Sequence, residues 1–105
     1  MIVTPFTYNF PEYCASKITP VSQATKVVGE ALEAKSAARC LEGVKDSKLA
    51  LAITVELAAE LLDTIHACET ILRKLEGAEG IDLDEIKAEV IAKNERRGYY
   101  EAPEV

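Results

Sequence analysis

Tryptophan is missing from this 105-residue chain, histidine and methionine occur once each, and four tyrosines and two phenylalanines supply every aromatic ring. With five glycines and four prolines, the composition excludes a collagen-like or proline-rich chain. The three cysteines, Cys14, Cys40 and Cys68, lie far apart with no CxxC and no paired histidine. That excludes a zinc or redox motif and points to reduced thiols in a cytoplasmic protein. No apolar run reaches the roughly 18 to 20 residues of a membrane span, so no membrane partner is expected. The start, Met1-Ile2-Val3-Thr4-Pro5, lacks the basic and then apolar stretches of a signal peptide. Positive charge is also short: twelve Lys and Arg face eighteen Asp and Glu, for a net charge of −6. A chain that grips a nucleic acid polymer is normally basic, so no such partner is expected. The acidic surplus suits a chain that gathers carboxylates around a cation.

What is present is ordinary globular composition, 49% apolar and 29% charged, enough for one domain. Residues 1–18 hold Pro5, Pro11 and most of the aromatics (Phe6, Tyr8, Phe10, Tyr13), the marks of an irregular arm that packs on something. From there the periodicity is helical. Thr19 is a cap, Pro20 fits the first helical position, and a helix is predicted to about Leu41. Its apolar positions include Ala24, Val27, Val28, Ala31, Leu32, Ala38 and Leu41. After a break at Gly43 to Asp46, a second helix is predicted from Lys48 to about Leu75, and Gly77 and Gly80 bracket the turn that follows. A third is predicted from an Asp82 cap, with Glu85 three residues on, to about Arg97, where Gly98 supplies the stop. The fold class is therefore all-α: two long antiparallel helices and a shorter C-terminal one over residues 19–98, then a tail of residues 99–105. Three helices bury little core alone. A second helix of this length, apolar on several sides, has a spare face for another subunit, so completion by oligomerisation is expected.

Two acidic pairs stand out. Glu30 and Glu33 are three apart on the first helix, and Glu60 and Asp63 are three apart on the second. That spacing puts both members of a pair on one face. If a short connection makes the helices antiparallel, the pairs can face each other. Four carboxylates in one place repel unless a cation sits among them, and all-oxygen donors favour Mg²⁺, or Mn²⁺ in its place, over zinc. Glu56 lies one turn before Glu60 and Lys26 one turn before Glu30; Ala37 and Ala67 continue the stripes with small side chains that leave room for a ligand. An acidic stripe where a core-facing helix should be apolar is the local inconsistency that functional sites produce. The plainer reading is a solvated acidic face. On the third helix Lys93 and Arg97 share a face, with Asn94 beside them. They suit either the negative C-terminal end of that helix or a phosphate clamp.

Glu30-Ala31-Leu32-Glu33, a spacer of 26 residues, and Glu60-Leu61-Leu62-Asp63, followed by Lys93-Asn94-Glu95-Arg96-Arg97-Gly98-Tyr99-Tyr100, resemble the ExxE…ExxD pattern and basic ending of the MazG-like all-α nucleoside triphosphate pyrophosphohydrolases. The resemblance covers about residues 22–100, and Gly29 stands where members of that family often carry a further Glu. It implies a homodimer or homotetramer with Mg²⁺ held by Glu30, Glu33, Glu60 and Asp63. It also implies hydrolysis of a nucleoside triphosphate to the monophosphate and pyrophosphate, in house-cleaning of the nucleotide pool. Glu30 or Glu33 would take the proton of the attacking water, and Lys93, Asn94 and Arg97 would hold the phosphates, from the same or a neighbouring subunit. Two other classes fit the same residues: a catalytically silent relative that binds nucleotide or metal as a regulator, and a helical oligomerisation module. His66, off the acidic stripe, is expected to be a packing or interface residue, and Glu69 at most a distant supporter of the site.

Overall fold

A computed structural model describes residues 3–12 and 18–102 of the chain. Helix α1 spans Pro20–Glu42, α2 spans Ser47–Glu76 and α3 spans Leu83–Arg96. Among the described residues there is no strand, and none of the helices is long and apolar enough to cross a membrane. Local chemistry sets each start. Thr19 Oγ1 accepts from Ser22 N–H while Ser22 Oγ accepts from Thr19 N–H, a reciprocal capping box. Asp46 caps α2 by accepting from Lys48 and Leu49 N–H, and Asp82 caps α3 by accepting from Asp84 and Glu85 N–H. Gly98 follows the end of α3 with φ +76°, a conformation that costs a side-chain-bearing residue. The expectations for Tyr13, Cys14 and Pro103 fall outside the described residues.

Helices α1 and α2 pack closely together, and α3 packs on neither to a comparable extent. Gln23 meets Ala67, Glu30 lies beside Asp63, and Glu33 beside Glu60. As numbers rise along α1 they fall along α2, so the pair is antiparallel. The inner face is small and polar: its buried residues are Gln23, Ala34 and Ala37 on α1 and Ala67 on α2. That differs from the apolar stripe expected on α1. Val28 and Leu32 are exposed, because each is two residues, about 200° of helical rotation, from the inward Glu30. On α2, Leu51, Val55, Leu62 and Ile65, with Ala58 among them, recur at steps of four and three and are also exposed, Leu51 by 66%. That seam lies opposite Glu60. The radius of gyration is 17.0 Å, against about 13 Å for a compact chain of this length.

The arm lacks regular secondary structure over its described residues. It bridges α2 and α3: Phe6 N–H donates to Asp84, Lys87 Nζ donates to the Thr4 carbonyl at 2.9 Å, and Tyr8 donates to Glu76.

Candidate metal centre

The groove between α1 and α2 brings the two acidic pairs together. One oxygen each from Glu30, Glu60 and Asp63 lies within 4.8 Å of the others. Glu33, one turn along α1, touches Glu60. The antiparallel crossing places the pairs at the same height, and Ala34, Ala37 and Ala67 let the helices approach closely enough for them to meet.

Electrostatics here are unfavourable as they stand. The Glu60 carboxyl is raised above its ordinary range, first by a hydrogen bond with Glu33, then by removal from water, then by the negative charges of Glu33, Asp63 and Glu30. A bond between two carboxyls needs a proton on one of them. With both ionised they are acceptors only, and Glu60 Oε2 is buried with no hydrogen-bond partner. A buried oxygen facing three other carboxylates is satisfied by a proton or by a cation. The donors are hard oxygens, with no sulfur or imidazole among the three, which fits Mg²⁺ or Mn²⁺.

Two hollows flank the cluster. One, of about 140 Å³, is lined by Gln23, Lys26, Glu30, Asp63, His66, Ala67 and Thr70. The other, of about 430 Å³, is lined by Glu33, Ser36, Ala37, Cys40, Ile53, Glu56 and Glu60. Lys26, Glu56, Ala37 and Ala67 therefore sit where their stripes put them. Gln23 is buried and donates to the Ala67 carbonyl at 3.0 Å, which ties the two walls of the first hollow together. Lys93, Asn94 and Arg97 lie on α3 and the residue after it, and they line neither hollow.

His66 packs, as expected of it, but also lines a hollow, and Glu69 takes a role that the spacing did not reveal. His66 lines the first hollow and stacks on Phe10. Glu69 is buried and holds the arm. Both depend on where an irregular segment docks, for which the sequence carries no periodic signal. Among the described residues Cys40 and Cys68 are free thiols; burial, and secondarily Glu69, raises the Cys68 thiol. Comparison of the chain with protein-family models, with curated proteins and with solved structures finds no match.

Proposed function

We propose that this protein is a divalent-cation-dependent hydrolase of nucleoside triphosphates, releasing pyrophosphate and the monophosphate, and that it works as a homo-oligomer. The observation that carries this reading is the convergence of Glu30, Glu60 and Asp63, with the unpartnered buried oxygen of Glu60 among them. Bound Mg²⁺ or Mn²⁺ would supply charge neutralisation on the phosphates and a more acidic water.

The chain's own residues do the rest. Glu30, Glu60 and Asp63 hold the cation. Glu33 lies outside that trio but touches Glu60, so it is the carboxylate left to take a proton from the attacking water. Lys26 lines the hollow beside Glu30 and Asp63, where an ammonium suits a phosphate oxygen. Lys93, Asn94 and Arg97 line neither hollow of their own chain, and we assign their phosphate-holding role to a neighbouring copy. The exposed apolar seam on α2 supports such an assembly. The resemblance in the ExxE…ExxD pattern and the Lys93 to Tyr100 ending points to the MazG-like enzymes.

The test is pyrophosphate release from a panel of nucleoside triphosphates with and without Mg²⁺. Glu60→Gln and Asp63→Asn are expected to reduce release to background while the helical circular dichroism is kept. Metal-independent release, or full activity in either variant, overturns the reading.

A further inference from the structure

One stripe of α2 holds the N-terminal arm. His66, Glu69, Arg73 and Glu76 recur at steps of three, four and three, so they share a face. Each grips a different part of residues 8–10. Glu69, only 4% exposed, accepts the backbone N–H of Asn9 with both oxygens, at 3.0 and 2.9 Å, and that of Phe10 at 2.9 Å. Arg73 donates to the Phe10 carbonyl at 2.6 Å, and its guanidinium lies 4.0 Å from the Tyr8 ring centroid. Tyr8 donates to Glu76. Phe10 stacks on His66 with centroids 4.8 Å apart and planes 14° from parallel.

Taking a carboxylate out of water is costly, and an apolar contact would dock an arm with less penalty. What Glu69 adds is direction. Bonds from two N–H groups, that of Asn9 shared by both oxygens, fix the backbone of two successive residues, and through them the place of one ring. That ring lies on His66, which lines the 140 Å³ hollow together with Glu30 and Asp63. Glu69 does not line the hollow itself.

We propose that Glu69 is a positioning residue for the ligand: by pinning Asn9 and Phe10 it sets the Phe10 ring on His66 and so fixes the imidazole as a wall of the hollow beside Glu30 and Asp63. The proposal rests on the reading of the groove as a nucleotide site. It makes the arm part of the site, although none of the arm's described residues lines the hollow.

The chain has a single histidine, so the His66 ring protons give unambiguous nuclear magnetic resonance signals. In the wild type the stacked Phe10 ring shifts them upfield. Glu69→Ala and Phe10→Ala move them downfield as that ring shift is lost, and Phe10→Tyr, which keeps a ring, restores it. With Mg²⁺ and a non-hydrolysable nucleoside triphosphate, Glu69→Ala and Phe10→Ala raise Kd about tenfold, the size typical for residues that orient a ligand-contacting group. Phe10→Tyr binds as the wild type does, and Mn²⁺ affinity without nucleotide is unchanged in all three variants. His66 signals that stay put in Glu69→Ala overturn the proposal, and so does an unchanged nucleotide Kd in variants whose signals have moved. A wild type that binds no nucleotide brings down the reading of the groove and this proposal with it. A wild type that binds, matched by both alanine variants, brings down this proposal alone.

Discussion

Glu60 bears opposed demands: it faces inward on α2, carries an unpartnered buried oxygen, and is surrounded by three other acids. Because its carboxyl is raised in the fold, folding favours the protonated form, and that contribution is present at pH values below the ordinary carboxylate range. It is lost as pH rises through the raised value. Metal-free protein is therefore expected to lose stability with rising pH over that window, a loss that Glu60→Gln removes; urea titrations across pH measure both. Tyr8 behaves alike at the other end of the scale. Burial, and then its bond to Glu76, raises it to about 12, so its contribution is present below pH ~10 and lost as pH approaches 12. Tyr8→Phe is expected to abolish that alkaline step. The acidic residues were legible because a helix turns spacing into direction: Glu30, Glu33, Glu60 and Asp63 needed only the i,i+3 rule and an antiparallel crossing. His66 was legible only as a packing residue, and neither its partner Phe10 nor the role of Glu69 was, since both come from contacts with residues 8–10, more than 50 positions away.

The helices were legible through their ends. Thr19, Asp46 and Asp82 cap by bonds to residues two or three positions on, interactions that sequence displays directly. Asp46→Ala is expected to cost about 1 kcal/mol of stability, as cap removals do, read from the shift in urea midpoint. Gly98→Ala is expected to destabilise the α3 stop by about 1 kcal/mol, because alanine resists φ +76°; the same titration measures it. The faces were harder to read than the ends. On α1 the apolar periodicity pointed to Val28 and Leu32 as the packed side, yet the close contact runs through Gln23, Ala34 and Ala37. Periodicity identifies a stripe to be buried without saying what buries it. Within one chain the narrow inner face took the small and polar residues, and the large apolar ones were left outside.

That inversion governs the molecule as a whole. Among the described residues the buried hydrophobic ones are three alanines, and the chain is drawn out to 52 Å along its longest axis. An apolar seam of this kind supports the homo-oligomer proposed for this chain. Wild-type protein is expected to sediment as a multiple of 11.4 kDa, and Val55→Glu with Leu62→Glu to shift it toward the single-chain mass; a wild type that sediments as one chain contradicts the assembly. Everything proposed for the groove depends on carboxylates from two helices sharing one cation. Electron paramagnetic resonance of Mn²⁺ titrated with protein tests that most directly. The account predicts saturable loss of the free-ion signal with the wild type and none of that uptake with Glu60→Gln or Asp63→Asn; a free-ion signal undiminished by the wild type would contradict it.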